Sequence, residues 1–307
     1  MLFLGIDRKI AARFQSRIGP PITQPFLDVV KLLSKQTIVP HNAVAWLFNL
    51  MPIIAAASAA MLVLYLPLLD TTPLLGNYGD LVVVLYLLTI PAIAMIVGGF
   101  ASSSPYAAVG AQRKMVTIMS YELPLATLII AIVWRTSQLF PTEKAFSFAT
   151  FASHPILTLV GPLGIVGVLL LFISIMTALC AELIKTPFDA PEADTELAEG
   201  LLVEYSGRNL ALFILSDAAK LVAFVTLVIG LFFPFTLSSF IDLGMFNFIG
   251  NAAFFLLKFF IISFIGLSFV RVAFARFKIN QVTRFFWIYS TGISLLGLIL
   301  IVIDSLL

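Results

Sequence analysis

Long apolar runs separated by short polar segments make up most of this chain. A membrane-spanning helix needs roughly 20 mostly apolar residues. Seven runs meet that requirement, and none alternates with the period of two that is typical of barrel strands. The runs cover residues 43–69, 81–101, 118–139, 155–181, 209–233, 245–270 and 284–307. The pattern predicts an all-α integral membrane protein, a multi-pass helical bundle in which residues 1–307 form a single polytopic domain.

The composition agrees with this class, since 61% of residues are hydrophobic and only 11% are charged. Cys180 is the only cysteine, so this chain cannot supply a disulfide or the ligands of an iron–sulfur cluster. His41 and His154 lie in loops at opposite faces, and no phosphate-binding, dinucleotide-binding or nucleophile motif is present. We therefore expect no metal, no bound cofactor, no catalytic residue and no nucleic acid partner; the lipid bilayer surrounds the chain.

The basic residues are placed unevenly between the two sides of the membrane. With the N-terminus in the cytoplasm, only Arg135 and Lys144 fall in outside segments, and the other loop cations fall inside. The positive-inside rule then fixes the orientation. We predict a multi-pass protein of the cell membrane, with a basic N-terminal arm (residues 1–42) and an acidic loop (residues 182–208) in the cytoplasm and the C-terminus outside.

The arm predicts two short amphipathic helices. The first carries apolar residues on one stripe and basic residues on another: Ile6, Ile10 and Phe14 against Lys9, Arg13 and Arg17. We expect Gly19, Pro20 and Pro21 to end it. The second places Phe26, Val30 and Leu33 opposite Asp28, Lys31 and Lys35. A plain anchor on anionic lipid would also explain the charges, but not the break or the second helix.

The acidic loop contains the stretch "PFDAPEADTELAEG". Asp189 can cap a helix whose third residue, Glu192, closes a capping box, so we predict a helix over residues 190–204. On that helix Glu192, Glu196 and Glu199 share one face. Like charges at this spacing are destabilising by a few tenths of a kcal/mol. Solvent screening, basic partners or raised pKa values would offset the repulsion. The apolar residues beside the acids favour a docked loop, and a docked row of carboxylates is suited to carrying protons.

Four ionisable residues fall inside the apolar runs, where charge is costly and marks a pathway or a paired site: Glu122, Asp217, Lys220 and Lys258. Asp217 and Lys220 are three apart and can pair with each other. We expect Lys258 to meet Asp217 or an acid of another subunit. Glu122, placed about one turn inside the cytoplasmic end of its run, either reaches the interface or belongs to a pathway. Outside the runs, Glu204 is spaced to pair with Arg208.

Three stretches resemble one family: "DRKIAARFQSRIGPP…QPFLDVVKLLSKQ", "SYELPL" and "PFDAPEADTELAEGLLVEYSG". The family is the membrane subunit shared by respiratory complex I (its H subunit, also called subunit 1) and the group 4 membrane-bound [NiFe] hydrogenases. The resemblance covers nearly the whole chain. The direct "GPPITQPF" and the residues Ile184, Lys185 and Thr186 favour the hydrogenase branch. The family usually has eight spans, and "MLFLGI" is too short to cross, so the first span is expected to be truncated or lost.

The resemblance implies a non-catalytic component of an oxidoreductase complex that anchors a peripheral redox arm and couples electron transfer to H⁺ or Na⁺ movement. Matching the family's acidic positions implies pathway roles for Glu122, Asp189, Glu192, Asp194, Glu196, Glu199 and Glu204, to which the buried-charge argument adds Asp217, Lys220 and Lys258. Docking of the redox arm would involve Arg8, Arg13, Arg17, Gln24, Asp28, Lys31 and Lys35. The implied partners are hydrogenase-like large and small subunits, which hold a NiFe centre and iron–sulfur clusters, and antiporter-like membrane subunits.

Three alternatives stay open at this point. The same fold serves complexes that reduce quinone from NADH or ferredoxin, and a related complex reduces sulfur. A chain of a different class, an independent secondary transporter, would work alone in liposomes; the paired broken helices typical of many transporters are not visible in the two halves of the sequence.

Overall fold

The computed structural model describes residues 1–70, 73–75, 81–141, 146–198, 200–241 and 246–306, without the side chains of residues 70, 149, 152, 194 and 195. Regular structure in these ranges is helical. The helices are α1 Leu2–Phe14, α2 Gln24–Ser34, α3 Ala45–Tyr65, α4 Leu81–Ala101, α5 Pro105–Leu139, α6 Phe148–Ser153, α7 Ile156–Leu159, α8 Pro162–Glu182, α9 Asp194–Leu197, α10 Gly207–Phe232, α11 Asn247–Ala273 and α12 Ile279–Leu306. Two π-helical segments, Phe264–Phe269 and Phe285–Ser290, lie within α11 and α12.

Seven of the described helices are long and apolar enough to cross a membrane, namely α3, α4, α5, α8, α10, α11 and α12. This confirms the predicted all-α multi-pass class and the number of apolar runs. The second run is matched residue for residue by α4. The third is wrong at its start, because α5 begins at Pro105, a residue favoured in the first helical turn, and continues through polar residues before the apolar stretch. Glu122 therefore lies near the middle of α5, about one turn inside its apolar part.

The membrane helices pack closely where small residues meet. On α8 and α12, Gly167 and Gly297 face each other, and a Cβ on either would lie 2.7 or 2.8 Å from the carbonyl oxygen of the other. Helix association in lipid relies on such close backbone approach, because the bilayer supplies no hydrophobic drive between helices. The fourth run also starts late: α8 begins at Pro162, and the preceding α7 is a separate short helix.

One end of the bundle collects the N-terminal helices, the turn at 102–104, the loop at 183–206 and the turn at 274–278; we call it the arm face. Hydrogen bonds join these segments. Ile38 N donates to Ser206 Oγ at 3.1 Å. Phe277 N donates to Pro187 O at 2.9 Å. The arm and the acidic loop therefore belong to the folded bundle and form one continuous surface.

The predicted helix over residues 190–204 is wrong. The chain forms a 3₁₀ turn at Ala190–Glu192, the short α9, and a second 3₁₀ turn at Gly200–Leu202. Ala198 has φ +48° and Gly200 has φ +51°, which no right-handed helix can accommodate. Asp189 makes no side-chain cap. Glu192 and Glu196 therefore do not share one helical face.

Docking of the loop is nevertheless observed. Leu201 is fully buried and packs on α5, where a Cβ on Gly110 would lie 2.7 Å from Leu201 N and 3.0 Å from Pro191 O. Close packing on the α5 backbone therefore holds this irregular segment in place. Glu204 lies in the turn before α10, which begins at Gly207, and the expected ion pair with Arg208 is absent between these two described residues.

The arm is largely as predicted. The second amphipathic helix is present as α2. The first, α1, ends at Phe14, several residues before Gly19, because Ser16 already turns the chain with φ +58°.

Candidate functional site

A buried ion cluster joins α8 and α10. Lys220 Nζ lies 2.8 Å from Asp217 Oδ1 and 3.6 Å from Glu182 Oε1. The side chains of Lys220 and Glu182 are fully buried, whereas that of Asp217 is 31% exposed. The predicted pairing of Asp217 with Lys220 is therefore confirmed, and one lysine is shared between a buried and a more accessible carboxylate.

Helix α5 completes the surroundings of Glu182. The Tyr121 hydroxyl donates a hydrogen bond to Glu182 Oε2. Lys114, also fully buried, donates from Nζ to the backbone oxygen of Glu182 at 3.2 Å. Lys114 and Tyr121 are two helical turns apart on the same face of α5, so one helix places both beside the end of α8. Glu182 thus meets charged or hydroxyl groups from two neighbouring helices.

A cavity of about 260 Å³ lies on the arm-face side of this cluster. We call it the inner cavity. Its charged lining combines residues of the arm, the acidic loop and two membrane helices: Asp7, Arg8, Asp28, Lys185, Glu192, Asp217 and Arg271. Both signs of charge are present, so the cavity suits water and mobile protons better than an apolar ligand.

Glu192 is a titratable group of this cavity whose pKa lies near neutral pH. Its Oε1 is buried and has no hydrogen-bond partner within the described part of the chain. Burial raises the pKa of Glu192 to about 7, and repulsion from Asp217 adds to the increase; Lys185, Lys114 and Lys220 oppose it. A carboxyl with this pKa exchanges its proton near neutral pH.

A second cavity of about 210 Å³ lies between α4 and α5. We call it the lateral cavity. Tyr121, Glu122 and Glu182 line it, together with Thr89 and apolar residues of α4. Glu122 is exposed on the outer surface of the bundle, where lipid or a neighbouring subunit would meet it. The lateral cavity therefore connects the buried cluster to the side of the protein.

The ion cluster separates the two cavities. Asp217 lines the inner one, Glu182 lines the lateral one, and Lys220 contacts both carboxylates. Counting the acids Glu182, Glu192 and Asp217 against Lys114 and Lys220, the formal charge has an excess of one carboxylate, which Lys185 at the inner cavity offsets in part. Burying an unpaired charge costs free energy. These five residues can therefore bind one proton at little cost in free energy.

The structure brings together only part of the predicted pathway set. Glu192, Asp217 and Lys220 meet at the inner cavity, and Glu122 lies at the lateral one. Asp189 instead binds Arg276 with two contacts of 2.7 and 2.9 Å, which fastens the acidic loop to the turn at 274–278.

Glu196 and Glu204 do not reach the cluster. Glu196 is exposed and bonded to Arg113 at 2.5 Å, which lowers the pKa of Glu196. Glu204 lies in the turn that precedes α10. The side chain of Asp194 and the whole of Glu199 lie outside the described residues.

Lys258 does not pair with Asp217. Its Nζ donates to the carbonyl oxygens of Phe233 at 3.2 Å and Phe235 at 2.8 Å, just after the end of α10. Lys220 occupies the neighbourhood of Asp217 because it projects from the same helix, one turn further along. Of the two partners expected for Lys258, Asp217 is therefore wrong, and an acid of another subunit stays a prediction.

The predicted docking residues divide into two groups. Arg8 contacts Asp28 at 3.2 Å, and Gln24 donates to the other oxygen of Asp28 at 2.9 Å, so these three hold α1 and α2 together. The others are exposed cations on the arm face: Arg13, Arg17, Lys31 and Lys35.

Sequence reasoning missed Glu182, Tyr121 and Lys114. The earlier start of α5 was the missing signal for Lys114, because a helix beginning at Pro105 places Lys114 and Tyr121 at i and i+7. Glu182 was recognisable as the end of an apolar run, but nothing local indicated that Lys220 would lie beside it. Asp7 was also missed; it accepts from Ser268 at 2.7 Å and Arg271 at 3.1 Å and holds α1 against α11.

Comparisons with known proteins bear on the family of this chain. The profile of the NADH dehydrogenase family matches residues 1–302. The chain is 33% identical over 236 residues to hydrogenase-4 component C of Escherichia coli (strain K12), across 76% of this chain and 71% of that protein. It is 27% identical over 313 residues to the H subunit of the NADH-quinone oxidoreductase of Dehalococcoides mccartyi (strain CBDB1), across 100% of this chain and 83% of that one.

A solved structure is also similar. It is a chain of the membrane-bound sulfane sulfur reductase, an archaeal respiratory membrane complex, with a TM-score of 0.82 and 28% identity. The similarity covers 97% of this chain and 93% of that chain. Because the family profile matches residues 1–302, this chain belongs to the NADH dehydrogenase family, together with hydrogenase-4 component C and the H subunits of the NADH-quinone oxidoreductases.

Proposed function

We propose that this chain is the component of an energy-converting [NiFe] hydrogenase that anchors the peripheral redox arm to the cell membrane and couples electron transfer to H⁺ or Na⁺ movement. The arm face lies in the cytoplasm in this proposal. Large and small hydrogenase-like subunits, which hold the NiFe centre and the iron–sulfur clusters, dock there, and antiporter-like subunits lie alongside in the membrane. The similarity to hydrogenase-4 component C and the direct "GPPITQPF" segment support the hydrogenase form.

One observation carries the coupling role: the ion cluster links the inner cavity to the lateral cavity. Glu192 takes up a proton at the inner cavity, where its pKa of about 7 allows both states. A change of charge or position in the docked peripheral redox subunits shifts the protonation equilibrium of Glu192. The proton passes to Asp217, and Lys220, relieved of that partner, strengthens its contact with Glu182. Lys220 gives one of its ammonium protons to Glu182 and regains one from Asp217. Glu182, oriented by the hydrogen bond from the Tyr121 hydroxyl, then passes its proton toward Glu122.

The other predicted acids have structural roles in this proposal. Asp189 fastens the loop through Arg276, and Glu196 does so through Arg113. Lys258 stabilises the turn after α10 through backbone oxygens. The exposed cations Arg13, Lys31 and Lys35 are the part of the arm that contacts the peripheral subunits.

The decisive experiment compares Glu182→Gln with Glu196→Gln in the intact complex. Gln keeps the size of the side chain but cannot accept and release a proton. We expect Glu182→Gln to lower ion uptake into liposomes by about tenfold or more, as for a lost proton-transfer group, while hydrogen evolution with artificial electron donors continues. Glu196→Gln, which alters a carboxylate of the acidic loop outside the path, should retain ion uptake. Equal uptake by both variants would contradict the path.

Tyr121→Phe is the second variant. It removes the hydroxyl that donates to Glu182 and leaves the ring, which contacts Phe286 at a centroid distance of 6.2 Å. We expect an assembled complex with reduced ion uptake. Loss of assembly would show that the hydroxyl serves stability, whereas normal uptake would remove Tyr121 from the path.

A second candidate is a component of a quinone-reducing or sulfur-reducing complex. The similarity to the H subunits of NADH-quinone oxidoreductases and to the sulfane sulfur reductase favours it. Nickel content and hydrogen evolution of the complex, purified through this chain, separate the candidates; a nickel-free complex that reduces quinone or sulfane sulfur would replace the hydrogenase. An independent transporter would move ions with this chain alone in liposomes, and we expect no such activity.

A further inference from the structure

An open cleft of about 630 Å³ lies on the arm face between α1 with its following turn and the end of α11. It is separate from the lateral cavity, and it shares Arg8 and Arg271 with the lining of the inner cavity. The polar residues of its lining are Arg8, Gln15, Arg17, Thr186 and Arg271. Phe274 and small residues of the arm complete the wall.

The lining carries three guanidinium groups and no carboxylate. Two of them are partly neutralised from behind, since Arg8 contacts Asp28 at 3.2 Å and Arg271 contacts Asp7 at 3.1 Å. Arg17 instead donates to the neutral amide oxygen of Gln15. The cleft is therefore positively charged, and guanidinium groups bind phosphate through paired hydrogen bonds.

Thr186 gives independent support for a ligand. Its Oγ1 is buried and has no hydrogen-bond partner within the ranges that the structure describes. A buried hydroxyl without a partner destabilises the folded state. Thr186 also lines the cleft, so a rotation of its side chain about χ1 would turn the hydroxyl toward a phosphate oxygen bound there.

The rim of the cleft is apolar and leads onto the outer surface of α11. Phe14, Ile18 and Phe274 are all more than half exposed at 56%, 81% and 53%. The Phe14 ring lies 6.1 Å from that of Phe264 on α11. The neighbouring outward residues of this membrane helix, Phe260, Ile261, Ile265 and Phe269, are also exposed. A small inorganic anion would leave this surface uncovered, whereas a phosphate with acyl chains would cover it.

We propose that the cleft binds an anionic phospholipid. The phosphate lies between Arg17 and Arg271 and accepts a hydrogen bond from Thr186, and the acyl chains follow Phe14 and Phe264 along α11. The lipid then fastens the basic arm to the bundle next to the inner cavity. This proposal concerns the contact between the arm and the bundle and does not depend on which complex contains the chain.

The test uses the intact complex purified in detergent, with bound lipids extracted and quantified by mass spectrometry. Arg17→Gln removes one guanidinium from the cleft, and Lys9→Gln removes a cation of the same arm outside it. One basic residue at a membrane surface is worth about a fivefold change in affinity for anionic lipid. We expect the Arg17→Gln complex to retain about fivefold less phosphatidylglycerol than the wild type, and the Lys9→Gln complex to match the wild type. Thr186→Val should also lower retention.

Two further measurements distinguish a lipid headgroup from free phosphate as the source of the bound phosphate. After delipidation, phosphatidylglycerol and phosphatidylcholine are added back separately, with and without excess inorganic phosphate. Preferential retention of phosphatidylglycerol that free phosphate does not displace supports the proposal. Equal losses in Arg17→Gln and Lys9→Gln, equal retention of both lipids, displacement by free phosphate, or a protein segment of a partner seated in the cleft would each overturn it.

Discussion

Lys220 Nζ lies 3.6 Å from Glu182 Oε1, and both side chains are fully buried. The two residues are far apart in the sequence and reach each other only because α8 and α10 carry them to the same depth. Removing charges from water costs several kcal/mol per ion, so each member of such a pair depends on the other. This dependence makes the pair both a structural requirement and the centre of the proposed path.

Replacing Lys220 by Met should destabilise the complex strongly, because Glu182 and Asp217 would lose their shared cation. Breaking a buried ion pair from one side costs about 3–5 kcal/mol. The thermal denaturation midpoint of the detergent-purified complex measures the change. The double variant Lys220→Met with Glu182→Gln should recover part of the loss, since no unpaired carboxylate stays buried at position 182. A double variant no more stable than Lys220→Met would contradict the coupling.

Glu192→Gln should change the stability of the complex in a pH-dependent manner. The pKa of Glu192 is raised to about 7, above the roughly 4.3 expected in the unfolded chain. The folded protein therefore holds this proton more tightly, and stability falls as pH rises between those two values. Glutamine cannot ionise, so the variant should match the wild type near pH 4 and exceed it above about pH 7, by on the order of 3 kcal/mol.

Thermal denaturation of both forms at several pH values measures this difference. A constant offset across the whole pH range would show that Glu192 titrates normally. Loss of a transition near neutral pH in the ion-uptake profile of Glu192→Gln is the matching functional result.

Gly110→Ala should displace the acidic loop, because the added Cβ would lie 2.7 Å from Leu201 N. Gly292 on α12 is the matched control, since a Cβ there has no atom within 4 Å. Alanine is favoured over glycine inside a helix by about 1 kcal/mol, so Gly292→Ala should be neutral or stabilising. Limited proteolysis in the acidic loop should increase only in Gly110→Ala; equal protection in both variants would argue against tight docking.

Asp304→Asn should weaken the far end of the bundle. Asp304 Oδ2 accepts from Gly161 N at 2.7 Å and lies 3.6 Å from Arg135 Nη2, with both charged side chains largely buried. Loss of the charge should cost about 1–3 kcal/mol, which the thermal midpoint reports. Ser305→Ala is the comparison, because the Ser305 hydroxyl bonds to Val302 O of its own helix. Similar effects of the two substitutions would show that the contact of Asp304 with Arg135 and Gly161 adds no stability.

The apolar runs predicted the membrane helices well because transfer into lipid depends on composition and length, which are properties of each segment. The pairing of Asp217 with Lys220 was predictable for a similar reason, since one helical turn separates them. The acidic loop was mispredicted because its capping box and helical spacing are local preferences. Packing of Leu201 and Pro191 on the α5 backbone outweighed those preferences.

By itself the sequence determined the all-α membrane class, the number of membrane-length helices, the family and the presence of acids in a loop on the basic side. Only the tertiary structure decided which acids lie close to one another. Glu192, Asp217 and Glu182 come from a loop and two helices, and Tyr121 comes from a third. Their proximity depends on how helices pack across long sequence separations. The burial that results from this packing, rather than residue type, determines which carboxylate titrates near neutral pH.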